Sequence, residues 1–307
     1  MPNIETYAGF FLTSSKLQLV EVSIFENQIE LINLDEVFLN EEINFEKDKI
    51  SKIGALLQSA YEEIQLKNQF NPKYVSFCLP LDLFSILQLP IDKRLSYTEL
   101  LEDFKFQFSI LFPFKQHEQT IKLYEISPNI FDKYDTALAF AIEKPFLDVI
   151  ENFVKQNNLK LLFIDNPHTA TNISILNSNA VLCKSYYLSI FIQKKFLSYI
   201  LAHNQKIIKM KLFNYNRIGD LPDILNNEFN ELIFSKISIE SLGASFISGD
   251  EISPNLVSLL RKTLGFDFII FNPFEKLKVN SNLFENKLFL KKYNSFAPAL
   301  GVALRLN

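Results

Sequence analysis

Hydrophobic and polar residues alternate near the start of the chain with the two-residue period of a β-strand. Three such segments follow one another and predict an antiparallel meander over residues 9–14, 16–25 and 28–39, with Glu26-Asn27 as a tight turn. A second set of three segments repeats this order over residues 186–193, 196–204 and 206–213. Two similar meanders predict a duplicated fold.

Apolar residues spaced three and four apart predict helices over residues 48–68, 96–111, 144–157 and 254–264. Asp48 is the expected N-cap of the first, and Ser96 with Glu99 forms a capping box for the second. A short helix after Ala170, a helical segment over 220–234 and a closing helix over 296–306 complete the set. Strand patterns lie between them, over residues 73–80, 84–90, 117–127, 135–143, 159–165, 244–249 and 267–274. Strands that alternate with helices indicate an α/β fold.

Composition narrows the classes of function. The 307 residues carry a net charge of −4, which gives no strong field for nucleic acid or an anionic lipid surface. Cys78 and Cys183 lie in apolar segments and are expected to be reduced and buried. The N-terminus lacks the pattern of a secretory signal, and no apolar run reaches the length of a membrane-spanning helix. We therefore expect a cytoplasmic protein.

An ordered set of short motifs resembles the type IV pilus assembly protein family PilM. The C-terminal part contains an N-P-F strand end at Asn272-Pro273-Phe274 and a closing helix with Gly301 and Ala303-Leu304-Arg305. Earlier, the chain has two L-P strand ends and a helix that ends in P-F, at Leu79-Pro80, Leu89-Pro90 and Phe112-Pro113-Phe114. The resemblance spans most of the chain.

The resemblance implies an actin-like (ribonuclease H-like) duplicated two-lobe fold, with an inserted subdomain and a trimmed second lobe. It implies a first lobe at 1–83 plus 161–184, an inserted subdomain at 84–160 and a second lobe at 185–307. Proteins of this family resemble the cell-division protein FtsA, bind ATP between the lobes, and bind the cytoplasmic tail of the bitopic membrane protein PilN. The trimming is expected between Asp220 and Ile247, where the family has a longer helical segment.

The first hairpin departs from the family's phosphate-binding pattern. Actin-like ATPases use a D-x-G hairpin, in which the acid orders Mg²⁺ and the glycine lets backbone N–H groups approach a phosphate. Here Phe11 stands at the acid position, Thr13 at the glycine position and Gln18 at a later lysine position. Only Ser14 and Ser15 of the pattern remain.

Three other segments of the family's nucleotide-binding pattern also lack their usual residues. In the second hairpin Phe191 replaces the acid and Gln193 replaces the glycine. Pro167 replaces a carboxylate at the return into the second lobe, and only Gly249 remains of a glycine run on the adenosine side, followed by Asp250. We therefore expect no bound cofactor, no metal site and no catalytic residue.

These observations predict a non-catalytic scaffold, a pseudo-ATPase, of a type IV pilus or related inner-membrane assembly. It would bind the tail of a PilN-like protein and lie at the inner membrane through that partner, without inserting itself and without binding nucleic acid; self-association stays open. The candidate partner groove contains Phe112, Pro113 and Phe114, to which an extended peptide could add as a strand. The alternatives are a residual ATP-binding switch, and a scaffold of the type II secretion or cell-division kind, which the absence of a membrane span or terminal anchor disfavours.

The remaining polar residues give weaker signals. His117, His168 and His203 are scattered and show no metal-ligand spacing, although His168 could face the nucleotide cleft. The lysine pairs at 194–195 and 291–292 are expected to be surface charges, with contact to an acidic partner or a lipid surface as the other possibility.

Overall fold

The computed structural model describes residues 5–26, 28–67, 72–113, 118–178, 180–181 and 185–305, without the side chain of Leu232. These form two compact units. The first unit consists of Met1–Leu83, Pro145–Asn179 and Phe271–Asn307, and the second of Phe84–Lys144 and Ala180–Ile270. The division into a first lobe, an inserted subdomain and a second lobe stays a prediction.

The first unit is built on a six-stranded sheet. Its strands are β1 (Glu5–Leu12), β2 (Lys16–Phe25), β3 (Gln28–Phe38), β4 (Tyr74–Cys78), β8 (Lys160–Asp165) and β14 (Lys278–Val279), in the order β14-β3-β2-β1-β4-β8. β1, β2 and β3 pair antiparallel, which confirms the first meander, whereas β4 pairs parallel to β1 and β8 parallel to β4.

Among the described residues, the α-helices of the first unit are α1 (Ile50–Lys67), α3 (Lys144–Gln156, which enters the unit at Pro145), α4 (Pro167–Asn177), α7 (Lys287–Lys291) and α8 (Ala297–Ala303). The closing helix α8 is fully buried, with Pro298 in its first turn as predicted. It packs closely on α4. Glycine at position 301 allows this approach, because a Cβ there would overlap the carbonyl oxygen of Ala170. Ser174 Oγ fixes the same contact by donating to the carbonyl of Ala297 over 2.8 Å.

The second unit contains a five-stranded and a three-stranded sheet. The larger sheet has the order β11-β10-β9-β12-β13 and consists of β9 (Tyr186–Gln193), β10 (Phe196–His203), β11 (Lys206–Asn214), β12 (Leu242–Gly249) and β13 (Ile269–Ile270). Helices α5 (Leu221–Glu228) and α6 (Pro254–Leu264) pack against each other and contribute Leu225 and Leu260 to its core.

The three-stranded sheet has the order β5-β7-β6, from β5 (Phe84–Pro90), β6 (Gln119–Ile126) and β7 (Thr136–Glu143). Helix α2 (Tyr97–Leu111) covers one face of it with Phe104 and Phe108. The predicted capping box is present, since Ser96 Oγ accepts the backbone N–H of Glu99 and the Glu99 carboxylate accepts the backbone N–H of Ser96.

The two larger sheets share one topology. In each, a three-stranded meander places its first strand next to a parallel strand, β4 in one sheet and β12 in the other, and a second parallel strand follows. The predicted duplication is therefore confirmed at the level of strand order and direction.

Some local predictions were wrong. Helix α1 begins at Ile50, and Asp48 Oδ2 accepts the backbone N–H of Asn44 over 2.8 Å instead of capping the helix. The strand expected over 267–274 is reduced to β13, because the chain turns at Asn272, whose side chain accepts the N–H of Phe274. The short β14 and α7 were not predicted. Within the described ranges, every helix is too short or too polar to span a bilayer.

Candidate functional site

The turn of the first hairpin is closed by the side chain of Thr13. Its hydroxyl oxygen accepts the backbone N–H groups of Ser15 and Lys16 over 3.3 and 3.1 Å and donates to the carbonyl of Lys16. The backbone N–H of Thr13 donates to the same carbonyl over 2.9 Å. A phosphate loop needs outward-pointing N–H groups, and three of those in this turn already have intramolecular partners.

The two serines of this turn connect it to the segment after β3. The carbonyls of Ser14 and Ser15 accept the backbone N–H groups of Ile43 and Leu39 over 2.7 and 2.8 Å. Ser14 Oγ donates to Glu42 over 3.2 Å, which brings a carboxylate to the turn. A carboxylate at this point disfavours an anionic ligand.

Phe11 lies in the core of the first unit with 1% of its surface exposed. Its strand neighbours are Gln18 on β2 and Cys78 on β4. A phenyl ring offers no oxygen to a cation, and hard cations such as Mg²⁺ are held by oxygen ligands. The first acid position therefore contributes to hydrophobic packing.

Gln18 belongs to a buried polar network around Glu36. Its amide donates to Glu36 Oε2 and to Ser295 Oγ, each over 2.9 Å. Lys16 and Lys292 bind the two oxygens of the same carboxylate over 2.8 and 2.7 Å. Burial opposes ionisation of Glu36, but the two ammonium groups outweigh burial and hold its pKa below the ordinary value. The network holds β2, β3 and the C-terminal segment together.

The second hairpin turns through two lysines and contains Phe191 in its core. Phe191 is 1% exposed, and its neighbours are Ser198 on β10 and Ser248 on β12. The turn residue Lys195 has φ 63°, and its carbonyl accepts the backbone N–H of Tyr215 over 3.0 Å. The carbonyl of Gln193 accepts the Tyr215 hydroxyl over 3.1 Å. The second acid position, like the first, serves packing.

Gly249 has a structural reason to be glycine. Its φ of 122° is unfavourable for other residues, and a Cβ would overlap the carbonyl oxygen of Ile192. Two residues after it, Glu251 accepts the Tyr215 hydroxyl over 2.8 Å. This glycine therefore lets β12 end close to β9, and an acid follows it.

The segment Asp165-Asn166-Pro167 starts α4. Asn166 caps the helix through its side-chain oxygen, and Pro167 occupies the first turn. The Asp165 carboxylate accepts the hydroxyl of Thr169 over 2.8 Å and pairs with Arg305, whose guanidinium also lies over the ring of Phe163. The surviving acid at this position thus connects β8 to the C-terminal residues.

The two histidines that the structure describes, His168 and His203, belong to different units. His168 is completely buried, and burial lowers its pKa to about 3, so it is neutral in the folded protein. His203 stacks on Tyr186 with ring centroids 4.2 Å apart. His117 lies outside the described residues, as does Cys183, whereas Cys78 is a buried free thiol. The described part of the chain contains no group of three or more His, Cys, Asp or Glu side chains that could hold a metal ion.

A groove of about 330 Å³ lies between the end of α2 and the start of β6. Two of the three predicted groove residues, Phe112 and Pro113, line it; the third, Phe114, lies outside the described residues. The other lining residues are Lys105, Phe108, Ser109, Glu118 and Gln119. Sequence reasoning missed these, although 105, 108, 109 and 112 share the spacing of one helix face, which was a usable signal.

No family model matches the chain, and no curated protein matches it. Among solved structures, a chain of the PilM-PilN type IV pilus biogenesis complex matches with a TM-score of 0.75 at 18% identity, covering 97% of this chain and 98% of that one. A protein of Bacteroides thetaiotaomicron, described as having an actin-like ATPase fold and unknown function, matches with a TM-score of 0.56 at 14% identity, covering 88% and 91%.

At these identities a structural likeness shows the fold. The predicted resemblance is confirmed at that level: the chain has an actin-like ATPase fold, in a form similar to that found in the PilM-PilN complex.

Proposed function

We propose that this protein is a non-catalytic scaffold of a type IV pilus or related inner-membrane assembly. In this role it binds the cytoplasmic tail of a PilN-like membrane protein and is held at the inner membrane through that partner. The likeness to the PilM-PilN complex over nearly the whole chain supports this class of function. The expected lobes and inserted subdomain belong to the same proposal.

The observation that carries the proposal concerns the two hairpins that bind phosphate in actin-like ATPases. In this chain their residues pack in the core or bond to their own turn. Phe11 and Phe191 are buried in hydrophobic cores, and the Thr13 hydroxyl accepts the N–H groups of its own turn. Neither hairpin offers an oxygen ligand to Mg²⁺ at the acid position. We therefore propose that the protein neither hydrolyses ATP nor needs a cofactor.

The groove beside α2 is the proposed docking site for the tail. Phe108, Phe112 and Pro113 give it an apolar lining, and Lys105 and Glu118 provide charges of both signs at its walls. Pockets of this size accept a few apolar side chains. A short peptide with one or two apolar anchors fits these features.

The edge of the neighbouring sheet offers backbone hydrogen bonds to the same peptide. β6 pairs with β7 on one side, and no described strand pairs with it on the other. An unpaired edge can accept an extended peptide as an additional strand, with alternate side chains entering nearby pockets. We propose that the tail binds along β6 with its apolar side chains in the groove.

The test is a direct binding measurement with a fluorescently labelled tail peptide of the PilN-type protein from the same organism. Ser109 lines the groove and is exposed, so Ser109→Trp should fill the groove without disturbing the core and weaken binding by at least about tenfold. Asp103→Trp adds the same ring at an exposed position of α2 away from the groove and should leave affinity unchanged. Equal affinity for both variants would remove the groove from the proposal.

A further inference from the structure

A basic and apolar patch lies on the first unit, around α7. It consists of Phe38, Phe284, Lys287, Leu290 and Lys291. Its three apolar side chains are 62%, 56% and 55% exposed for Phe38, Phe284 and Leu290. Single exposed apolar residues are ordinary, but three of them next to lysines form a surface with a definite chemistry.

Helical spacing brings the members of the patch together. In α7, Lys287 and Lys291 are four residues apart, and Leu290 is three residues after Lys287, so all three share the outward face. The inward face holds Phe289, whose ring packs on Phe274 with centroids 5.7 Å apart. Phe284, just before the helix, approaches the Phe289 ring at 6.4 Å.

Phe38 joins the patch through Lys292. The ammonium group of Lys292 lies 5.6 Å from the centre of the Phe38 ring and binds Glu36. Lys292 therefore already has an ion-pair partner within the protein, as does Lys278, which pairs with Glu30. Lys287 and Lys291, in contrast, form no ion pair with any residue that the structure describes. Glu285 is the one acidic residue between Phe284 and Lys292.

We propose that this patch binds the surface of an anionic lipid bilayer. Lysine ammonium groups bind the negatively charged headgroups, while Phe and Leu side chains enter the boundary between headgroups and acyl chains. Lys287 and Lys291 outnumber Glu285 in this segment, although the whole chain has a net charge of −4, so the attraction to anionic lipid is local.

The contact is peripheral and reversible. Each lysine near an anionic surface contributes about fivefold to membrane partitioning, and this contribution decreases within a Debye length. The patch belongs to the first unit and the proposed peptide groove to the second, so the two contacts can be tested separately. Lipid binding would add a second attachment to that supplied by a membrane protein tail.

The experiment is co-sedimentation of the purified protein with vesicles of phosphatidylcholine, with and without phosphatidylglycerol. We expect the protein to bind only the vesicles that include phosphatidylglycerol, and to be released from them at high salt. Lys287→Glu with Lys291→Glu should lower binding at least tenfold, and Leu290→Ser should also weaken it. Lys47→Glu with Lys49→Glu changes the same charge at exposed positions of the same unit and should have little effect.

Thermal unfolding of each variant shows whether its fold is retained. Equal binding by the Lys287/Lys291 and Lys47/Lys49 variants would overturn the proposal. Failure of the unmodified protein to bind anionic vesicles would also overturn it, and would indicate an acidic protein as the partner of the patch. The Lys287/Lys291 variant should still bind the tail peptide, so failure of the lipid contact and failure of the proposed scaffold function give different results.

Discussion

The Thr13 hydroxyl oxygen accepts the backbone N–H of Lys16 over 3.1 Å, within the turn that joins β1 to β2. In a phosphate-binding hairpin this turn is glycine-rich and its N–H groups point towards the ligand. Here the side chain of Thr13 takes the place of the ligand. The turn is therefore stable without an anion.

Removal of this hydroxyl should destabilise the protein. Thr13→Ala leaves the N–H groups of Ser15 and Lys16 without their acceptor, which we expect to lower the free energy of unfolding by about 1–2 kcal/mol. Thr13→Ser keeps the hydroxyl and should lose less than half as much. Urea unfolding measures both, and equal losses would show that the hydrogen bonds of Thr13 are unimportant.

Breaking the ion cluster at Glu36 should cost far more stability than breaking a surface ion pair. Glu36→Gln leaves the buried Lys16 ammonium without its carboxylate, and we expect a loss of about 3–5 kcal/mol. The matched control is Glu30→Gln, which breaks the exposed pair with Lys278 and should cost at most about 1 kcal/mol. Similar losses in chemical unfolding would contradict the structural role assigned to the cluster.

Substitution by alanine should lower the stability of the protein at Gly249 and raise it at Gly54. At Gly249 a Cβ meets the Ile192 carbonyl and φ is 122°, so Gly249→Ala should cost at least about 2 kcal/mol. Gly54 lies inside α1 with open space around it, and Gly54→Ala should stabilise the protein by about 0.5–1 kcal/mol. Melting temperatures that move in the same direction would disprove this assignment.

Stability should depend on pH through Glu21. Burial raises its pKa from 4.5 to about 7, partly offset by a hydrogen bond from Asn33. Between these two values the folded state binds more protons than the unfolded state, so the stabilising contribution present below pH 4.5 is lost as pH rises to 7. Glu21→Gln removes this dependence.

The Glu21→Gln variant should match the unmodified protein near pH 4.5 and exceed its stability above pH 7 by up to about 3 kcal/mol. Urea unfolding at a series of pH values gives this difference directly. Glu285→Gln, at an exposed position, controls for the loss of one carboxylate. A difference between Glu21→Gln and the unmodified protein that stays constant with pH would contradict the assignment.

The strands and long helices were predictable because their patterns are local. The meanders follow from period-two alternation, and the capping box of Ser96 and Glu99 is readable from sequence. The duplication seen in the two larger sheets was also expected, since residues 186–213 repeat the strand pattern of residues 9–39.

Long-range contacts were not predictable in the same way. The pairing of Lys292 with Glu36 joins residues from opposite ends of the chain, and no local pattern indicates it. Asp48 is a common capping residue, but its carboxylate binds Asn44 instead, because the preceding turn offers a competing N–H group. Phe112 and Pro113 line a groove, whose role as a partner site stays a prediction, and the charged walls of that groove depend on how α2 lies against β6.

Calorimetric titration of the tail peptide into the purified protein, with and without ATP and Mg²⁺, tests the central claim most directly. The account predicts saturable binding of one peptide per chain, with the same affinity in both conditions and no heat from ATP alone. Binding that requires ATP and Mg²⁺, or absence of peptide binding in both conditions, would contradict it. The first result would establish a nucleotide-gated switch, and the second would exclude a PilN-like tail as the partner.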